Sequence, residues 1–249
     1  MKKVILIPAR YSSSRLPGKP LQDISGKPMV VRVCESVEAI NVDMVVVATD
    51  DQRIFDAVTN SGFNAIMTKA DHVSGTDRLQ EASEKLGLSA SDIIINLQGD
   101  EPLMPSKNLL QVAQLLIENP TASIATLYEE CDASTALNNP NMVKLVQDVY
   151  GRVLYFSRAS IPFDRDNQRP ANALVKRHVG IYAYRKSALD KFVNYGEGLL
   201  EQLEKLEQLR FMENGDVIIA QKAQLPIPVG VDTPEDLDAV RKIFREKLN

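Results

Sequence analysis

Three cations stand close together near the N-terminus, where Arg10, Arg15 and Lys19 punctuate the stretch Pro8-Ala9-Arg10-Tyr11-Ser12-Ser13-Ser14-Arg15-Leu16-Pro17-Gly18-Lys19-Pro20. Small residues between them, Ser12 to Ser14 and Gly18, allow close backbone approach, and the combination suits a triphosphate. The order is not that of a P-loop, because Gly-x-x-x-x-Gly-Lys followed by Ser or Thr is absent. A solvated basic loop fits the same residues, and the pattern alone leaves both readings open.

Two carboxylates answer these cations. Asp100 lies in Gln98-Gly99-Asp100-Glu101-Pro102, directly after the apolar run Ile93 to Leu97. A carboxylate at a strand end beside a phosphate loop is placed to hold magnesium, which takes one or two carboxylates together with substrate phosphates. Gly-Asp-Glu-Pro is also good turn chemistry, so this motif by itself fits either role. Asp232 precedes Thr233-Pro234-Glu235-Asp236, which reads as a helix start with Thr233 as cap, Pro234 at the first helical position and Asp236 completing the box. The whole segment makes sense as a helix entry alone, but because Thr233 is the cap, the Asp232 carboxylate is also free for a metal.

Ser74-Gly75-Thr76-Asp77-Arg78 is a small-residue turn entering a helix over Arg78 to Leu86, with Thr76 as its expected cap. Its functional reading is a backbone wall against a flat base, for which Gly75 leaves room. Of the two histidines, His72 reads as a loop residue, and His178, at a strand start beside Arg177, fits a structural or a substrate role equally. Neither has the serine or cysteine partner of a nucleophile triad.

These residues need a scaffold, and the chain of 249 residues is long enough to bury one large core. With 44% hydrophobic and 25% charged residues it has an ordinary globular composition. A net charge of −4 speaks against a dedicated nucleic-acid binder. Cys34 and Cys131 are the two cysteines, which excludes a structural zinc site built on paired cysteines and a secreted disulfide framework. The apolar run at Val4 to Ile7 is too short for a signal peptide, and no stretch has the roughly 20 apolar residues of a membrane span, so the expected location is the cytoplasm.

Val4 to Ile7, Met44 to Ala48 and Ile93 to Leu97 are continuous apolar runs, the mark of strands buried on both faces. Amphipathic stretches at Pro28 to Ile40 and Gln52 to Ser61 lie between them, and Ser106 to Glu118 follows as a helix capped by Ser106. This alternation predicts an α/β fold, a mostly parallel sheet flanked by helices, with ligands collecting outside the strand C-termini. Val143 to Val146, Val153 to Phe156 and Val179 to Tyr182 read as further strands, with a hairpin turn at Asp148 to Gly151. They mark a smaller antiparallel lobe at about 140–185 within one domain spanning 1–249. Asp164 to Ala173 is a polar loop. Leucines at 200, 203, 206 and 209 predict a helix through Glu201 to Arg210.

Taken together, the motifs resemble the 3-deoxy-manno-octulosonate cytidylyltransferase family, the CMP-Kdo synthetases of lipopolysaccharide assembly. The resemblance rests on Ile7 to Tyr11, Arg15 to Leu21, Val47 to Asp50, Ser74 to Arg78, Gln98 to Pro102, Tyr155 to Ala159, Arg177 to Tyr182, Leu206 to Arg210 and Gly230 to Asp236, in family order. It implies a nucleotide-diphospho-sugar transferase fold, a cytoplasmic homodimer with an antiparallel dimerisation lobe, and transfer of a cytidylyl group from CTP to an acidic eight-carbon sugar with Mg2+. Arg15, Lys19, Asp100 and Asp232 would be catalytic, and Asp100 and Asp232 would bind the metal. Pro8, Ala9, Arg10, Arg15, Lys19, Ser74, Gly75, Gln98 and Asp100 would hold the nucleotide. Arg78, Gln98, Arg158, His178, Tyr182, Glu207 and Gln208 would line the sugar pocket. Relatives with Thr-Glu-Arg at Thr76-Asp77-Arg78 leave the role of Asp77 open. An amino-substituted octulosonate or a sialic-acid-like sugar is the alternative acceptor, and a non-catalytic nucleotide-binding regulator is the alternative of another class.

Overall fold

The computed structural model describes residues 1–12, 15–72 and 74–248, together with the backbone but not the side chains of the last two of these. Ser13 and Ser14 of the basic loop lie outside the described residues. In chain order the elements are β1 (Lys3–Ala9), β2 (Asp23–Ile24), β3 (Lys27–Pro28), α1 (Met29–Ser36), β4 (Met44–Thr49), α2 (Gln52–Thr59) and β5 (Asn64–Met67). They continue with α3 (Gly75–Lys85), β6 (Ile93–Asn96), α4 (Ser106–Glu118), β7 (Ile124–Asp132), α5 (Ala133–Ala136), β8 (Lys144–Gln147) and β9 (Val153–Ser157). The C-terminal third holds β10 (Leu174–Arg185), α6 (Lys186–Phe192), α7 (Leu199–Glu204), α8 (Gln208–Glu213), β11 (Ile218–Lys222) and α9 (Pro234–Leu248).

The sheet runs in the order β11-β7-β10-β6-β1-β4-β5. β1 pairs in parallel with β4 and β6, β4 with β5, and β11 with β7, while β10 is inserted antiparallel between β6 and β7. Alternate residues of β1 feed two cores. Ile5, Ile7 and Ala9 pack with Val30 and Val33 of α1, Ile54 of α2 and Leu109 of α4. Val4 and Leu6 pack with Leu79 of α3, Leu189 of α6 and Leu209 and Phe211 around α8. The sheet is covered on both faces, as its uninterrupted apolar strands require.

The antiparallel segment is continuous with this sheet. The β8–β9 hairpin, turned at Asp148 to Gly151 with Gly151 at φ +86°, joins β10 at Arg177↔Lys144. β10 is twelve residues long and pairs over Tyr182 to Arg185 with β6 and along its length with β7, so Val179 and Tyr182 belong to the main sheet as well. Its register shifts between Val179 and Tyr182, where the Thr126 hydroxyl lies within hydrogen-bond distance of the carbonyls of Val179 and Ile181.

Four local expectations are corrected. α1 stops at Ser36 rather than Ile40, its last turn tightened by the Val37 N–H donating to Cys34 O. Ser106 is the first helical residue of α4 and makes no cap bond; Pro105 precedes it. α3 begins at Gly75 and its cap is Ser74, not Thr76: Ser74 Oγ accepts from Asp77 N–H, and Asp77 Oδ2 accepts from Ser74 N–H. The leucine-rich helix is broken at Lys205, whose φ of +51° ends α7, and Leu203 is left exposed. By contrast the start of α9 is as expected, with Asp236 Oδ2 accepting from the Asp232 and Thr233 amides and Thr233 Oγ1 accepting from Asp236 N–H.

Candidate active site

The loops after β1 and β6 and the approach to α9 meet at one end of the sheet. Gly99 permits the closest approach: a Cβ there would stand 2.9 Å from Pro8 O. Val231 N–H donates to Asp100 O at 2.9 Å, which sets Asp232 beside Asp100. Leu16 packs with Val231, Leu237 and Val240, so the basic loop is anchored on α9. Gly18, at φ +62°, lies under the Tyr11 ring, and Arg53, fixed by both oxygens of Asp51, stacks on that ring 3.5 Å from its centre. The loop carrying Arg15 and Lys19 is therefore held at both ends before any ligand arrives.

A cleft of about 370 Å³ results, lined by Pro8, Ala9, Arg10, Arg15, Lys19, Ser74, Gly75, Arg78, Gln98, Asp100 and Asp232, all eleven of them anticipated from sequence, together with His72. At one point Lys19 Nζ donates to Asp100 Oδ2 at 2.5 Å and to Asp232 Oδ1 at 3.0 Å, and Arg15 reaches the same Asp232 oxygen at 3.0 Å. Burial works against the charge on Lys19, but the two carboxylates outweigh it and raise its pKa. Two acidic oxygens thus converge on a single cation. Among the described residues no group of three or more His, Cys, Asp or Glu is gathered for a metal. The donor set therefore fits a hard cation that completes its shell with phosphate oxygens and water, as magnesium does, rather than one caged by protein.

The sugar-pocket candidates divide. Arg78 is buried in the cleft wall, its guanidinium on Thr68 and on Asp50 at 3.2 Å. The break at Lys205 carries Glu207 to the hydroxyls of Ser74 and Thr76, next to Tyr182 and Tyr184, and burial raises its pKa. Glu207 Oε1 and Gln208 Nε2 are buried without a hydrogen-bond partner. His178 packs between Phe156 and Tyr182 with Nε2 3.1 Å from Thr126 Oγ1. Desolvation, with Arg177 adding to it, lowers its pKa to about 3, so it is a neutral hydrogen-bonding ring near neutral pH and not a partial cation. Of these candidates Arg78 and Gln98 line the cleft, whereas His178, Tyr182, Glu207, Gln208 and Arg158 do not. The Arg158 guanidinium is spent on the carbonyls of Glu204 (2.7 Å), Pro140 (2.9 Å) and Lys205 (3.4 Å), which ties β9 to the end of α7.

A model of the cytidylyltransferase family matches residues 4–223. The chain belongs to that family. Within it, the 3-deoxy-manno-octulosonate cytidylyltransferase of Saccharophagus degradans is 50% identical over 97% of this chain and 98% of its own length. That of Cellvibrio japonicus is 47% identical over 98% of each. A solved structure of CMP:2-keto-3-deoxy-manno-octonic acid synthetase complexed with CTP superposes with a TM-score of 0.92 at 44% identity, covering 99% of this chain and all of the other.

Some polar residues packed behind the cleft-lining segments were not singled out from sequence. Asn96 ends β6 two residues before Gln98, is buried, and has an unpartnered Oδ1; the signal was a lone polar residue closing an apolar strand. Tyr184, also buried, bonds with Thr76 and Asn96. Asp77, whose role was open, caps α3 and reaches the cleft only through Ser74.

Proposed function

We propose that the chain transfers a cytidylyl group from CTP to 3-deoxy-manno-octulosonate and releases pyrophosphate. The observation that carries this reading is the convergence of Arg15, Lys19, Asp100 and Asp232 in one cleft that Arg10 and Arg78 also line. The relatives at 47–50% identity, named for this sugar, support it over an amino-substituted octulosonate or a sialic-acid-like acceptor.

In the reaction the sugar's anomeric hydroxyl attacks the α-phosphorus of CTP in line. The new bond joins that oxygen to phosphorus, the bond to the β-phosphate oxygen breaks, and the hydroxyl proton is lost to water. Asp100 and Asp232 would hold Mg2+, which when bound neutralises the α-phosphate and acidifies the hydroxyl. Arg15 and Lys19 balance charge on the departing pyrophosphate. Pro8, Ala9, Arg10, Ser74 and Gly75 frame the cytosine; a Cβ at Gly75 would meet no protein atom within 4 Å, so that space is left to the base. Arg78, Gln98, His178, Tyr182, Glu207 and Gln208 orient the sugar. Positioning and charge neutralisation suffice, and no covalent enzyme intermediate is needed.

The exposed Val149, Tyr150, Leu154, Phe163 and Leu174 of the antiparallel segment support a homodimer surface there. No described helix is long and apolar enough to cross a membrane, which agrees with a cytoplasmic enzyme serving lipopolysaccharide synthesis. The test is pyrophosphate release from CTP, UTP, ATP and GTP, each with several 3-deoxy-ulosonic acids and magnesium. Release with CTP and 3-deoxy-manno-octulosonate is expected, and none with that pair would overturn the reading.

A further inference from the structure

The cleft wall contains a hydrogen-bonded pair for which the proposed reaction has no use. His72 lines the cleft beside Ser74 and Gly75, and its Nε2 meets Oε2 of Glu81 on α3. The two side chains are only 14% and 12% exposed. Glu81 is fixed independently of the histidine: the Lys69 N–H donates to it at 2.9 Å and Lys85 Nζ, one turn along α3, at 2.8 Å. Burial alone would raise the Glu81 pKa, but the hydrogen bonds from Lys85, Lys69 and His72 prevail and hold it at about 2.

Glu81 is therefore an anion throughout the range in which the protein works, and a carboxylate anion only accepts hydrogen bonds. The proton between the pair belongs to His72 Nε2. In a neutral imidazole this fixes the tautomer and leaves Nδ1 as a bare acceptor. Among the described residues no hydrogen bond engages Nδ1. Its stretch of wall is shared with Ser74 and Gly75, the residues that face the base.

We propose that His72, oriented by Glu81, selects cytosine over uracil, with Nδ1 accepting a hydrogen bond from the exocyclic amine of CTP. This rests on the reading of the cleft as a CTP site. The 4-carbonyl of UTP would present an acceptor to an acceptor, leaving two desolvated lone pairs opposed. A site built to bond one polar group rejects the analogue lacking it more sharply than a steric wall does, because its own buried group is left unpaired. Glu81 is the positioning residue: without it the ring is free to place its proton on Nδ1 and lose the distinction.

The experiment compares kcat/KM for CTP and UTP, at saturating sugar and magnesium, in the wild type and in His72→Phe, His72→Asn, Glu81→Gln and Lys85→Met. The wild type should favour CTP by about 100-fold or more. His72→Phe keeps a ring but no nitrogen, and should cut the CTP:UTP ratio at least about tenfold, equivalent to ~1.4 kcal/mol. His72→Asn, whose amide oxygen can stand where Nδ1 stands, should restore part of it. Glu81→Gln should lower the ratio less than His72→Phe. Lys85→Met removes a different partner of Glu81 and should leave the ratio within about twofold, a change too small to register as lost discrimination. Parallel loss of both nucleotides in His72→Phe, with the ratio unchanged, overturns the proposal and makes the pair a structural brace. If His72→Phe fails to fold, an unchanged ratio in Glu81→Gln overturns it equally. A wild type that does not use CTP at all would instead remove the reading of the cleft on which this rests.

Discussion

The carboxylate end of the cleft and the proposed sugar wall beside it are built on opposite principles. At the carboxylate end, Lys19, Asp100 and Asp232 are 17%, 28% and 45% exposed and neutralise one another, with Arg15 joining the network. At the proposed sugar wall, Asn96 and Gln208 are uncharged amides, and burial keeps His178 and Tyr182 neutral: it drives the His178 pKa down and the Tyr182 pKa far up. Asn96 Oδ1, Glu207 Oε1 and Gln208 Nε2 have no partner there. The first end is a balanced set of counter-charges that a phosphate and a cation can exchange into. The second is a desolvated surface with open hydrogen-bonding valences, which a polyhydroxylated ligand can satisfy. On the proposed function, rate belongs to the first and choice of acceptor to the second.

The largest effect that distinguishes them is expected from Asp100→Asn and Asp232→Asn. Each should lower kcat on the order of a thousandfold, the scale of losing a principal electrostatic contact in a transition state. The melting temperature should hold, because α9 is capped by Thr233 and Asp236 and not by Asp232. Turnover near the wild-type rate in either variant at saturating magnesium would remove that carboxylate from the chemistry. At the other end, Gln208→Leu should raise the sugar KM about tenfold, or ~1.4 kcal/mol, and leave the KM for CTP unchanged. Equal rises in both constants would mean that the two ends are not separate.

Arg158→Ala marks the boundary of the sugar wall. Since its guanidinium serves three carbonyls, its loss should cost about 2 kcal/mol of stability, read as a lower melting temperature. Any rise in the two KM values should be shared between the substrates. A selective rise in the sugar KM at constant melting temperature would put Arg158 in the pocket after all.

A smaller effect follows from His178. Its pKa falls from 6.5 to about 3 on folding, so between those values the unfolded chain carries a proton that the folded chain lacks. Stability is then complete above pH 6.5 and declines as pH falls through that window. His178→Gln should flatten this acid-side decline in melting temperature, and an unaltered pH profile would show that His178 is not desolvated.

The same division governs what could be read from the sequence. β1, β4 and β6 are legible because burial on both faces leaves runs of Val, Ile and Leu without a polar break. The carboxylate end is legible because charges sit on turn-rich loops and at a helix entry, and its four residues, Arg15, Lys19, Asp100 and Asp232, meet in one cleft. Neutral residues carry no such mark. Tyr182, His178, Glu207 and Gln208 were placed by family resemblance, and Asn96, Tyr184 and the His72–Glu81 pair emerge only from packing. The break at Lys205 was hidden for a related reason: a left-handed residue costs little beside the packing of Leu206, Leu209 and Phe211 in the core, and leucine spacing does not report it.

We propose that Asp100 and Asp232 together hold divalent metal against the nucleotide. Manganese binding, followed by electron paramagnetic resonance in the presence of CTP, measures this without turnover. The wild type should bind Mn2+ tightly, and Asp100→Asn and Asp232→Asn should each weaken binding at least about tenfold, or ~1.4 kcal/mol. Equal manganese affinity in the wild type and both variants would contradict the account.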